Sequence, residues 1–180
     1  MIEDAVQILK DKIAKANLWE SVLEFKRDVF IKEAGTVDTN LYFLEEGSAR
    51  VYFTEDGKEH IVYFGYTHSL LSAIDSFLTD TSSILCIKTI KKTKVRVISK
   101  KQFLQFIEKE KETLALWQQV LSQLLLMQID REKNLLLDSP KARYLQVLEG
   151  HPKLFQEIPH RYIASYLRMT PETLSRIQKP

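Results

Sequence analysis

Cysteine is nearly absent: one residue, Cys86, in 180. A disulfide framework, a Cys-rich zinc site and a cysteine-ligated iron–sulfur cluster within one chain are thereby excluded. No uninterrupted apolar run approaches the ~18–20 residues of a membrane span. The opening MIEDAVQILKDK mixes charges into its apolar pattern and has no basic n-region, so it is not a signal peptide. We therefore place the chain in a cytoplasm. Proline is missing from residues 1–139; all five (140, 152, 159, 171, 180) fall near the end. Glycine is scarce as well, with four of five (35, 47, 57, 65) in the first 65 residues. No sign of charge dominates the whole, at 26 Lys and Arg against 24 Asp and Glu. Residues 141–180 differ, with 7 basic against 3 acidic side chains. That excess is either a solvated surface or a patch for nucleic acid.

The apolar fraction, 44 %, and the charged fraction, 28 %, are those of an ordinary globular chain. Val6, Ile8, Leu9, Ile13 and Ala16 have helical spacing. Strand-like runs follow at VFI (29–31), LYFL (41–44), ARVYF (49–53), HIVYF (60–64), ILCIKTI (84–90) and VRVI (95–98). Glu46-Gly47-Ser48 separates two of them, and Thr54-Glu55-Asp56-Gly57-Lys58 is a strong hairpin signal, because Asp-Gly readily takes positive φ. Many short strands in so few residues argue for an antiparallel barrel or sandwich. Ser99 with Gln102 fits a capping box opening a helix through Phe103, Leu104, Phe106 and Ile107.

A long helical pattern without Pro or Gly runs from 112 to 137. Leu114, Trp117, Leu121 and Leu124 have the 3-4-3 spacing of a helix–helix seam, widened by Leu116, Val120, Leu125, Leu126 and Met127. One face should pack on the barrel and another needs a partner, either the same helix of a second chain about a two-fold axis or more of the same chain. Beyond it, Ser139-Pro140 and Thr170-Pro171 both read as an N-cap followed by Pro at the first helical position. Between them, a helix should start near Pro159 and run through Ile163, Ala164, Tyr166 and Leu167. Arg168-Met169-Thr170 is then a short turn between two short helices, a helix-turn-helix pattern, with Ala164 small where the helices cross.

The stretches NLYFLEEGSARVYFTEDGKEHIVYF (40–64) and IPHRYIASYLRMTPETLSRIQK (158–179), in this order around a long helix, resemble the Crp/Fnr transcription regulators, in particular their short Bacteroidetes forms. The resemblance covers about residues 25–179. It implies an α+β fold: an N-terminal antiparallel β-roll (a cyclic nucleotide-binding-like jelly roll, residues 1–111), a long dimerisation helix (112–137) and a C-terminal helix-turn-helix (138–180) without a full wing. It implies a homodimer on double-stranded DNA, one recognition helix per major groove. Glu172, Thr173 and Arg176 are then the base-reading candidates, since Arg can donate twice to guanine and Glu can accept from cytosine. Ser175, Thr170, Arg161, Arg168, His160 and Lys179 are phosphate candidates. Leu174 and Ile177 should be core. Arg168 stands where the family has Gly, so a left-handed turn there costs on the order of 1 kcal/mol more. The sequence stops at Pro180, directly after the recognition helix, so the DNA footprint is small or the sequence is truncated.

Nucleotide-binding relatives hold the ribose and cyclic phosphate with a Gly-Glu pair and a following Arg. Here Ser72-Ala73 and Ser83 fall at those positions, and Gly65–Ser83 contains no Glu, Arg or Lys but does contain Asp75 and Asp80. A buried phosphate needs donors or positive charge, so tight cyclic AMP or cyclic GMP binding is not expected. A different small-molecule effector, or none, is left open. We expect no cofactor and no metal: His60, His68, His151 and His160 form no cupin-like cluster, and haem ligation by His60 or His68 is unspecified. Catalysis is not expected either. The rival reading is a sensor or interaction module on the same fold that no longer binds DNA.

Overall fold

A computed structural model describes residues 2–179; Pro180, on which the expectation about the chain end falls, lies outside the described residues. In chain order the elements are α1 (Ile2–Lys15), β1 (Ser21–Phe25), β2 (Phe30–Lys32), β3 (Leu41–Glu46), β4 (Ser48–Glu55), β5 (Lys58–Tyr66), β6 (Leu70–Leu71), α2 (Ile74–Thr79), β7 (Cys86–Thr89), β8 (Thr93–Ile98), α3 (Lys100–Ile107), α4 (Lys111–Leu135), α5 (Pro140–Gly150), α6 (Pro152–Glu157), α7 (His160–Tyr166) and α8 (Pro171–Gln178). The strands make two antiparallel four-stranded sheets, β1-β8-β3-β6 and β2-β7-β4-β5, packed as a jelly-roll-like sandwich. The fold is α+β, as the resemblance implied.

Local chemistry accounts for the corners. The β4–β5 hairpin turns on Asp56 (φ 50°) and Gly57 (φ 72°), both in the left-handed region. Gly47, between β3 and β4, has φ 89°, and a Cβ there would sit 2.2 Å from the Lys92 carbonyl oxygen, so no other residue fits without moving the β7–β8 connection. Ser99 caps α3 by accepting from the Gln102 amide at 3.4 Å.

Three cores divide the work. Tyr42, Leu44, Ala49, Val51, Leu71, Ile87, Val95 and Val97 fill the roll. A second core lies between the roll and the helices: Ala5, Val6, Leu9 and Ile13 of α1 meet Phe77, Phe103, Ile107, Trp117 and Val120. Ile8 is 44 % exposed and Ala16 is also on the surface, so the inward face of α1 is narrower than its apolar spacing suggested. The third core joins Tyr52, Ile61, Phe64, Cys86 and Ile90 of the roll to Val147, Leu154, Ile158, Ile163, Ala164, Leu167 and Leu174 of the C-terminal helices. Cys86 is buried there as a small apolar residue.

A bulge interrupts β5. Val51 pairs with Tyr63 and Tyr52 with Ile61, leaving Val62 as the extra residue. The bulge breaks the two-residue alternation. Val62 and Tyr63 pack with the roll interior, while Ile61 and Phe64 pack with the C-terminal helices.

Candidate nucleic-acid interface

Pro159 precedes α7 and Pro171 opens α8, with Thr170 as the cap between them. The Thr170 side chain accepts from the Thr173 amide at 3.2 Å. Arg168 sits in the turn at φ 53°, the left-handed conformation that Gly would take more cheaply. Arg143 of α5 holds this turn: its guanidinium donates to the carbonyls of Leu167 (3.0 Å) and Arg168 (3.4 Å), and to that of Leu137 (2.6 Å). Ile163, Ala164, Leu167 and Leu174 are fully buried between the two helices and the roll, and Ile177 is half-buried.

The outward face is polar and basic. His160, Arg161, Arg168, Thr170, Glu172, Ser175, Arg176 and Lys179 are exposed, and Thr173 is half-buried. Arg161 turns back to donate to the Tyr162 hydroxyl at 2.9 Å. Glu172, in the first turn of α8, is held below the usual carboxylate range by hydrogen bonds from its own backbone amide and from Thr170, and by the charge of Arg176. It is therefore an acceptor at neutral pH, which suits either the helix dipole or a cytosine amino group. Ser139 and Lys141, at the start of α5, share a surface cleft of about 430 Å³ with Thr173, Arg176 and Lys179. Sequence reading missed them, because nothing local says that the first turn of α5 lies beside α8. Three cations and a helix N-terminus thus converge on one face, the arrangement that phosphate oxygens favour.

The two-helix unit is clamped to the roll. Arg131 of α4 lies 3.6 Å over the Tyr166 ring and donates to the carbonyls of Tyr166 (3.2 Å) and Ile61 (2.9 Å). Arg50 of β4, only 4 % exposed, lies 4.7 Å over the Tyr162 ring and donates twice to Glu59 (2.9 and 3.0 Å). Tyr166 also packs on Phe64. No sequence signal marked either arginine, since their contacts with α7, at Tyr162 and Tyr166, span more than 30 residues.

Of the four residues expected along a seam on α4, Trp117 is corrected. Trp117 is 5 % exposed and wedged edge-on between Phe77 and Phe103. It is core because α1 covers that face of α4 within the same chain. Leu124 also packs toward this core. Leu121 is half-buried at the border, and Leu114 is 38 % exposed. The exposed apolar row is instead Leu114, Leu125 (63 %), Ile129 (40 %) and Leu136 (77 %), about 100° round the helix from Trp117.

The effector candidates also separate. A cavity of about 330 Å³ lies between the roll and α4, lined by apolar side chains with Ser72, Tyr63 and Gln128 as the polar exceptions. Of the three candidates only Ser72 lines it, donating to the Asn40 carbonyl at 3.1 Å. Ala73 is buried at the start of α2. Ser83 is buried on the β2 side, where its backbone pairs with Thr36 and Gly35 and its hydroxyl accepts from the Leu85 amide. No Lys, Arg or His lines this cavity. The buried Lys32, which sequence reading missed, donates to the carbonyls of Ser83 (2.9 Å) and Leu85 (2.6 Å). Burial lowers its pKa from the ordinary lysine value.

Among the described residues no three His, Cys, Asp or Glu side chains group as metal ligands, and no helix is long and apolar enough to cross a membrane. Comparison with known proteins matches residues 22–110 to the cyclic nucleotide-binding domain. No curated protein sequence matches the chain. Among solved structures, FixK2 from Bradyrhizobium japonicum is similar with a TM-score of 0.72 and 19 % identity, over 87 % of this chain and 81 % of that one. A CooA variant from Carboxydothermus hydrogenoformans gives 0.70 and 13 %, over 91 % and 76 %. The c-di-GMP-responsive global regulator CLP from Xanthomonas campestris gives 0.71 and 15 %, over 93 % and 89 %.

Proposed function

Residues 22–110 of this chain belong to the cyclic nucleotide-binding domain family, its whole fold is that of the Crp/Fnr regulators, and from this we propose that it is a sequence-specific, DNA-binding transcription regulator acting as a homodimer. One observation carries the reading: a Thr-capped, Pro-opened helix presents Arg176, Glu172 and Thr173 at the surface, beside Lys141 and Lys179. Arg176 and Glu172 read base edges. Arg161, Arg168, Thr170, Ser175, Lys179 and Lys141 set the register on phosphates. The exposed Leu125–Ile129–Leu136 row supports pairing of two α4 helices about a two-fold axis, which presents two reading heads to successive major grooves. The cavity is a degenerate nucleotide pocket, since neither a cation nor the Gly-Glu pair stands in its wall; cyclic AMP is not the effector.

Selection of bound duplexes from a random pool tests this. The wild type enriches a palindrome with half-sites about one helical turn apart. Arg176→Ala loses about 1–3 kcal/mol and relaxes one position. Lys141→Ala weakens all sequences alike and lowers the salt dependence by about one phosphate. Enrichment of nothing over random duplex would instead favour a sensor module without DNA function.

A further inference from the structure

Four residues, 136–139, join α4 to α5. All four are exposed, so core packing does not stiffen them. In a dimer paired along α4, this linker carries each reading head away from the two-fold axis. One base pair occupies about 3.4 Å along the duplex. A few ångströms of play in the linker would therefore let such a dimer accept neighbouring half-site spacings equally well. Arg131 and Arg50 grip α7 from the roll side, and their hydrogen bonds go to Tyr166, Ile61 and Glu59 rather than to the linker.

Arg143 of α5 spans the gap. Its guanidinium donates to the linker carbonyls of Leu137 (2.6 Å) and Asp138 (3.3 Å). It also donates to the carbonyls of Leu167 (3.0 Å) and Arg168 (3.4 Å), in the turn that leads into α8. Helix ends leave such carbonyls without partners of their own. A planar fork with five fixed donors can join two of these ends at once, and a lysine ammonium does so with far less fixity. Asn134, 2 % exposed in the last turn of α4, donates from Nδ2 to the Arg143 carbonyl at 2.9 Å. A hydrogen-bonded path thus runs from α4 through Arg143 to the turn, and Thr170 continues it by capping α8 at the Thr173 amide. With its donors spent on main-chain carbonyls, Arg143 is not itself a base reader.

Resting on the regulator reading, we propose that Arg143 is a positioning residue for DNA recognition: by tying the α4–α5 linker to the turn before α8, it sets the spacing between half-sites that the dimer accepts. Base identity within each half-site stays with α8.

The wild-type chain first selects its duplex from a random pool. Its half-sites are then rebuilt with the gap between them lengthened or shortened by one base pair. Binding of the wild type, Arg143→Met and Arg143→Lys is measured on each duplex, and on single half-sites carrying base changes. The wild type should prefer its own gap over either neighbour by about tenfold or more. Arg143→Met should bind all these gaps within about threefold of one another, and Arg143→Lys should lie between. On single half-sites both variants should keep the wild-type order of base preferences, which a residue that merely held the reading head folded would not allow. Undiminished discrimination among gaps in Arg143→Met would overturn the assignment. Loss of half-site preferences in both variants would overturn it too, because Arg143 would then maintain the head's own fold. A wild type that selects no duplex removes the regulator reading and this role together, whereas selection with equally sharp gaps in every variant removes only the role of Arg143.

Discussion

Arg131→Met removes the clamp between α4, the roll and α7 while keeping most of the side chain's apolar stem. The wild-type guanidinium makes hydrogen bonds to two carbonyls and covers a tyrosine ring. Hydrogen bonds from a charged donor are worth about 1.5–3 kcal/mol each, and a partly desolvated cation–π contact about 1–2 kcal/mol. Against these stands the cost of burying the guanidinium, which also lowers its pKa. The net loss expected for docking of the C-terminal unit is about 2 kcal/mol. Local opening of that magnitude speeds amide exchange about 30-fold. Hydrogen exchange should therefore accelerate by that factor across His160–Tyr166, while β3 and β8 amides keep their wild-type rates. Arg131→Lys retains the charge but not the two-carbonyl fork, and should fall between. Unchanged α7 exchange in the Met variant would refute the clamp. Equal acceleration in β8 would show that Arg131 serves global stability instead.

Trp117→Ala opens a cavity beside Phe77 and Phe103 and should cost about 3–5 kcal/mol in urea unfolding, without changing the oligomeric state. Leu125→Asp combined with Ile129→Asp places charges on the exposed row and should give monomers by sedimentation, with the roll still folded; an intact dimer would mean that another surface pairs the chains. Tyr52 is pushed up to about 12, and Tyr42 is raised as well, chiefly by burial. Their folded pKa values exceed the unfolded value of about 10, so the stability they confer is complete below that pH and is lost as pH rises toward 12. Urea midpoints should fall across this window, and ultraviolet titration should show tyrosines ionising late.

Much of the architecture was legible because its signals are local. Ser99, Ser139 and Thr170 cap helices by hydrogen bonds to amides three residues on, and Asp56-Gly57 turns a hairpin by its own φ angles. The short α2 and α6 escaped notice, since six residues are too few to show a helical period. The strand β1 did too, because it is an edge strand whose residues do not alternate in burial.

What the sequence by itself determined is the order of the longer elements, the turn chemistry and the polar face of the last helix, because caps, turns and amphipathic spacing act within a few residues. Only the tertiary structure decided which stripe of α4 faces inward. Trp117 and Leu125 are equally apolar in the sequence, and the packing of α1, more than 100 residues away, buries the first and leaves the second in water. Likewise it took the folded roll to bring Lys32 to its two carbonyls and Arg131 to Tyr166. Long-range packing chooses among faces that local spacing leaves equivalent.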